Sequence, residues 1–295
     1  MAQQSPVPGV DRGRLVGLAF RMLGTVADAE DAVQEAFVRW YRLDDAAREA
    51  VARPAGWFAT TTSRVCLDVL KSASRRHDLY VGPWLPEPVP DERYSLRPAA
   101  EDDPGEHAVR SDSVSMALLT VMESMTPSER VAFVLRDVFA FPVADVADVL
   151  DRSPGAVRQL ASSARARVRD EGRPLGVPSR ALTAAFQHAA VTGDVSALVR
   201  LLHPDVTLRS DGGGLARAAL RPVRGADKVA RFVIGVLARQ DPTTLVVDRG
   251  GDHPVLTFDR DGATNGVVEL VARAGTVHEV LVQWNPEKLR LWRQT

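Results

Sequence analysis

Residues 126–169 read TPSERVAFVLRDVFAFPVADVADVLDRSPGAVRQLASSARARVR. Thr126-Pro127-Ser128-Glu129 has the form of a capping box. Thr is the N-cap, Pro sits where its missing N–H costs nothing, and Glu reaches back from three residues on. Val131, Val134, Leu135 and Val138 follow at helical spacing. After Phe141-Pro142, a short helix is expected from Val143, Val146, Ala147 and Leu150, ended by Asp151-Arg152. Ser153-Pro154 opens a third helix, whose apolar stripe is Val157, Leu160, Ala161, Ala164 and Val168. Two short helices joined by a tight turn make a helix-turn-helix, the second helix entering a DNA groove.

The opposite face of that third helix carries Arg158, Gln159, Ser162, Ser163, Arg165 and Arg169, with Arg167 at its edge. Arg and Gln hydrogen-bond base edges in pairs, and further Arg hold phosphates. Between Arg152 and Arg173 six Arg stand against Asp170 and Glu171, a local net of +4. The bland alternative is a solvated basic helix face. The capped two-helix unit ahead of it favours DNA.

Over the whole 295 residues the net charge is −1, so nucleic-acid binding cannot rest on overall charge and needs local patches. Of the 37 basic residues only Lys71, Lys228 and Lys288 are lysines, which suggests a GC-rich, bacterial coding sequence. Cys66 is alone, which excludes a disulfide framework and a Cys-based zinc site. No apolar run reaches membrane-spanning length and no signal-peptide pattern opens the chain, so a cytoplasmic protein is expected.

Upstream, Leu15, Leu18, Ala19, Met22 and Leu23 mark a first helix that Gly24 ends. In the next helix Ala29, Ala32, Val33, Ala36, Phe37 and Trp40 face a core, while Asp31, Gln34, Glu35 and Val38 share the other side. A helix over 54–77 packs Phe58, Thr62, Val65 and Val69 inward. Its outward face holds Arg64, Lys71, Arg75 and Arg76, with Trp57 near its start. That combination suits melted DNA, although Trp57 is equally a core candidate. Residues 81–112 form a Pro-rich acidic linker in which Trp84-Leu85-Pro86-Glu87-Pro88 has the look of a docking segment. A second break spans Gly172 to Pro178. Beyond it two helices, a strand at 206–209, a helix at 226–239 and strands at 243–249, 254–259, 264–273 and 276–284 give an α+β pattern. A curled sheet with helices over one face would enclose a cavity.

Leu23-Gly24 followed by DAEDAVQEAF at 28–37 resembles region 2 of extracytoplasmic-function sigma factors, and the Ser153-Pro154-Gly155-Ala156-Val157-Arg158 helix start resembles their region 4. Three short motifs resemble those of the ECF41-type subgroup: Trp84 to Pro88, Asp211-Gly212-Gly213-Gly214, and Asn285-Pro286-Glu287-Lys288-Leu289. The resemblance implies a multidomain chain. Two all-α sigma domains, a region 2 helical bundle at 10–80 and a region 4 helix-turn-helix at 113–171, would flank the linker. An α+β SnoaL-like (NTF2-like) cone domain at 178–290 would follow.

The same resemblance implies roles. Asp31, Gln34, Glu35 and Val38 would bind the β′ clamp helices of core RNA polymerase. Trp57, Arg64, Lys71, Arg75 and Arg76 would hold the −10 element of promoter DNA. Arg158, Gln159, Ser162, Ser163, Arg165, Arg167 and Arg169 would read the −35 element, with region 4 on the β flap. The linker would thread the polymerase. The three motifs would form a regulatory interdomain contact in place of a separate anti-sigma factor. The subgroup's usual Lys after the glycines is Leu215 here, so any ion pair that Lys makes is either absent or replaced, with Arg217 the candidate. No catalysis, cofactor, metal or membrane is expected, and the free chain should be a monomer.

Two other readings compete. A SnoaL-type cyclase or isomerase would draw acid-base groups from His203, Asp205, Asp211, His253 and His278, and would need a His within hydrogen-bond reach of a carboxylate. A helix-turn-helix repressor with a sensor domain explains 126–290 and leaves 10–80 without a role.

Overall fold

The structure is a computed structural model that describes residues 7–77, 80–90, 116–170, 178–239, 244–250 and 253–293. Residues 172–177 of the second sequence break and the acidic linker from 91 to 112 lie outside the described residues. The described residues form two compact units, one from 7–76 and 121–170, the other from 77, 80–90, 116–120 and 178–293.

The first unit is helical. Helix α1 (Arg12–Leu23) starts at Asp11, whose side chain accepts the Arg14 N–H, and ends at Gly24. Helix α2 (Val26–Arg42) is capped by Thr25 and buries the face from Ala29 to Trp40. A short α3 (Asp45–Glu49) leads to α4 (Pro54–His77), and Phe37, Trp40, Trp57 and Phe58 join as one aromatic cluster with neighbouring centroids 4.5–5.2 Å apart. Burial pushes the Cys66 thiol pKa up, which makes it an inert packing group.

Helix α5 (Met116–Met122) precedes α6 (Pro127–Phe133), where the Thr126 capping box is fully formed. A π-helical turn, Val134–Val138, follows. Helix α7 (Val143–Leu150) ends with Asp151 at φ 51°, and α8 (Pro154–Asp170) starts with the Ser153 hydroxyl accepting the Ala156 N–H. Three arginines tie these helices to α1 and α4. Arg130 donates to Met22 O and Met122 O, Arg64 donates to Asp148 O at 2.8 Å, and Arg21 lies over the Phe139 ring.

The second unit has α9 (Arg180–Val191), α10 (Val195–Leu201), β1 (Leu202–Asp211), β2 (Val223–Arg224), α11 (Ala226–Arg239), β3 (Thr244–Gly250), β4 (His253–Arg260), β5 (Ala263–Arg273) and β6 (Thr276–Gln283). The strand order is β2-β1-β6-β5-β4-β3. This overturns the expected cone. Strands β2 and β3 end the sheet at opposite sides and do not pair with each other, so the sheet is open. Strand β1 also runs parallel to β6, so the sheet is mixed. The physical reason is in the lengths: β2 is two residues long, too short to carry the sheet around to β3.

Helices α9–α11 cover one face of the sheet, over Leu208, Leu256, Phe258, Val268, Leu270, Val280 and Val282. The expected cavity is nearly filled: Phe186, Phe232, Phe258 and Trp284 leave a void of about 20 Å³, the size of a water site. Alternation along the strands sends Val267, Glu269, Val271 and Leu281 to the other face.

A Cβ at Gly266 would overlap the Trp284 ring. Gly266→Ala should therefore cost about 1–3 kcal/mol, read as a lower denaturant midpoint for the sheet unit. Glu129 tests the capping box by pH. Burial raises its pKa, but the Thr126 N–H and hydroxyl, with Arg167 and Ser163, outweigh burial and hold it below the usual value. Its stabilisation is thus present above its unfolded pKa and lost as pH falls through the folded one. Titrating stability downward from pH 6 should show the wild type losing its advantage over Glu129→Gln below about pH 4.

Candidate functional site

Strand β1 delivers Asp211 at its C-terminal end, fully buried, on the face away from the helices. Its Oδ1 accepts from the Tyr80 hydroxyl at 2.6 Å and from the Gly213 N–H at 2.9 Å. Its Oδ2 accepts from the Leu85 N–H at 2.9 Å, Lys288 Nζ at 2.8 Å and Gln283 Nε2 at 3.4 Å. Lys288 Nζ also donates to Leu85 O at 2.7 Å and lies 4.2 Å from the Trp84 ring centroid and 4.9 Å from that of Tyr80. An ammonium with a carboxylate, a carbonyl and two aromatic faces has exchanged water for a matched set of partners. Burial first, then the hydrogen bond to Asp211, raises the Tyr80 pKa, so the phenol stays a donor.

The turn geometry follows from sequence. Asn285 caps the turn Pro286–Lys288 by accepting the Glu287 N–H, which aims Lys288 inward. Gly213 has φ 58°, and a Cβ there would overlap the Asn285 carboxamide. Gln283 Nε2 donates to Leu85 O and Pro86 O, and Trp292 Nε1 to Pro88 O at 2.9 Å. Leu85 and Leu289 are fully buried. Glu87, Pro86 and Pro88 are buried, Gly212 is buried and Gly214 exposed. The arrangement thus brings the three motif segments together and fastens an extended strap, 80–90, to the sheet.

The cation that partners Asp211 is Lys288. Leu215 and Arg217 are both exposed and stand outside the hub. Tyr80, Gln283 and Trp292 escaped the sequence reading, as did Glu269, which is buried and accepts the Met116 and Ala117 N–H groups. One signal was available: Glu269 and Gln283 are single polar residues inside apolar strand runs.

The acid-base candidates are split. His203 and His278 stack at 4.1 Å, and His203 Nδ1 accepts the Asp205 N–H. Asp211 is committed to the hub, and the His253 side chain lies outside the described residues.

In the first unit Asp31 and Gln34 are exposed, Glu35 and Val38 half-buried, and Glu35 pairs with Arg39 at 2.8 Å. Tyr41, 53% exposed, extends that face by one helical step and was not anticipated. Lys71 is exposed; the Arg75 and Arg76 side chains lie outside the described residues. Trp57 is half-buried with its ring edge-on to Trp40. With Arg53, Arg64, Asp145, Asp148 and Arg152 it lines a groove of about 610 Å³ between α4 and the α7–α8 turn. On α8 all seven candidate residues are exposed. Arg165 binds Asp137 at 2.8 Å, Arg167 approaches Glu129 at 3.4 Å, and Ser163 also hydrogen-bonds Glu129. Those three brace the helix on α6 and the π-helical turn. No helix among the described residues is long and apolar enough to cross a membrane.

The sequence profile of Sigma-70 region 2 matches residues 11–76, and that of Sigma-70, region 4 matches residues 115–168. The ECF RNA polymerase sigma factor SigJ of Mycobacterium tuberculosis is 43% identical over 235 residues, 78% of this chain and 72% of that one. The probable ECF RNA polymerase sigma factor SigI of the same organism is 33% identical over 98% of this chain and 97% of its own. The crystal structure of M. tuberculosis SigJ superposes with a TM-score of 0.70 at 37% identity, covering 94% of this chain and 95% of that chain. Residues 10–80, which a repressor would leave without a role, are part of this relation, and the chain belongs to the extracytoplasmic-function sigma factors of RNA polymerase.

Proposed function

We propose that this sigma factor directs core RNA polymerase to −10/−35 promoters and is restrained in cis by its C-terminal unit, a SnoaL-like extension with an open sheet. The observation that carries the restraint is the hub, where Asp211, Lys288 and Gln283 hold the strap at Leu85 and Pro86. The polymerase would do the chemistry, and the sigma chain would be non-catalytic.

Asp31, Gln34, Glu35 and Val38, with Tyr41 added, form the polymerase-binding face in this reading. Acidic and apolar groups on one helix face suit a basic, partly apolar partner. Trp57, Arg64 and Lys71, with Arg75 and Arg76 further along the same helix, would hold the −10 strand. The N-terminal half of α8, with Arg158, Gln159 and Ser162, would read the −35 bases, and Arg169 would hold phosphate.

Restraint has a geometric basis. Promoter elements about 25 base pairs apart lie roughly 85 Å apart along the duplex at 3.4 Å per pair. Arg64 and Asp148, and Met22 and Arg130, are in hydrogen-bond contact here. Those contacts and simultaneous engagement of both elements exclude each other, and Arg64 serves one or the other.

In vitro transcription with core polymerase tests this. A 1–176 chain and Lys288→Met should both give more promoter-specific transcript than the intact protein. A chain ending at Trp284 should differ from 1–176, because it keeps the sheet and loses only the tail; equal output would refute a separate role for the tail. Lys288→Met leaves Asp211 buried without its cation and should also lower stability by about 3–5 kcal/mol, seen in the melting of the sheet unit. On α8, Arg158→Ala should weaken promoter binding by about 1–3 kcal/mol and relax one −35 position. Arg165→Ala should instead lower stability and leave the sequence preference intact.

A further inference from the structure

The hub has the chemistry of a receptor as well as that of a fastening. Lys288 brings its ammonium in on a flexible alkyl stem, and the groups that meet it come from elsewhere in the chain. The Trp84 and Tyr80 ring centroids lie 4.2 and 4.9 Å from Nζ, within the range of cation–π attraction. Asp211 Oδ2 and Leu85 O accept from it at 2.8 and 2.7 Å. Tyr80, Trp84 and Leu85 belong to the strap and Asp211 to β1. They are held together by bonds that do not pass through Lys288: the Tyr80 hydroxyl and the Leu85 N–H donate to Asp211, and Gln283 donates to Leu85 O.

Two features tune this set to one kind of cation. Both oxygens take N–H donors, which a primary ammonium supplies and a quaternary one lacks. A quaternary group on the same rings would leave a fully buried carboxylate oxygen and a carbonyl short of a donor. The aromatic side of the site also borders solvent, since Tyr80 and Trp84 are half-buried. Glu287 is exposed and lies close enough to act electrostatically on the Tyr80 phenol, so a second negative charge stands near that side.

We infer that the Asp211 hub is a binding site for a primary alkylammonium, with Lys288 as its tethered resident, and that a free primary alkylamine fills the site once the Lys288 side chain is gone. In the intact protein the tether gives Lys288 a local concentration of the millimolar order or above, so dilute free amine does not displace it. A filled site holds the strap more firmly than an empty one, because the carboxylate then has its cation. The effect on transcription rests on the cis restraint proposed above; the binding itself does not.

Lys288→Ala in the full-length chain removes the outline of n-propylammonium, which is charged at neutral pH. Its melting would be followed in n-propylammonium chloride and, at equal concentration, in tetramethylammonium chloride. Propylammonium should raise the melting temperature of the sheet unit by about 3–6 °C at tenfold excess over its Kd, and tetramethylammonium should not. The wild type, with its site filled, should gain nothing over the same range. Neither should the double variant Asp211→Asn, Lys288→Ala, which lacks the carboxylate. Equal gains from the two salts would overturn the assignment, and so would an equal gain in the wild type or the double variant. A Lys288→Ala chain that propylammonium neither stabilises nor, if unfolded alone, folds would overturn it too. In transcription with core polymerase, propylammonium should lower the output of Lys288→Ala severalfold, towards that of the wild type. Saturable stabilisation with unchanged transcript would establish the ammonium site and defeat the cis restraint.

Discussion

A carboxylate with no water around it needs a full set of donors, and the second unit is assembled around meeting that need. Asp211 draws Tyr80 and Leu85 from the strap, Gly213 from its own loop, Gln283 from β6 and Lys288 from the tail turn. Removing any one leaves the others buried with a charge that is less well matched. Such a contact gains little net stability when complete and costs much when one partner is removed.

The open sheet gives the hub its setting. One face is closed by helices α9–α11 over a filled apolar interior, which leaves little room for a small molecule. The other face is closed by chain segments from outside the sheet: the strap, the start of α5, and the turns around Leu289 and Trp292. The second face of the sheet is thus a surface for peptide. The buried polar groups of that face, Asp211, Glu269 and Gln283, meet backbone N–H and C=O groups of those segments.

Much of the helical unit was legible because its signals are local. The Thr126 capping box, the Ser153 cap and the break at Asp151 each depend on three or four consecutive residues. The strands of the second unit were also legible as segments. Their closure was not, since nothing within 243–284 specifies whether the two ends meet. The three motifs could be found singly, but not that Asp211 takes a cation from Lys288, 77 positions away in the chain. Arg165, Arg167 and Ser163 share the α8 face with Arg158, and only the tertiary placement of Asp137 and Glu129 sets the bracing residues apart from it.

The spacing of the hub along the chain also sets an order in time. Leu85 and Lys288 are 203 residues apart. At about 5–20 residues per second, ribosomes make the second roughly 10–40 s after the first. Regions 2 and 4 are therefore complete in the nascent chain before Lys288 exists. Every newly made molecule passes through an interval in which region 2 and region 4 are present and the Asp211–Lys288 contact is not, and the speed of translation fixes how long that interval lasts.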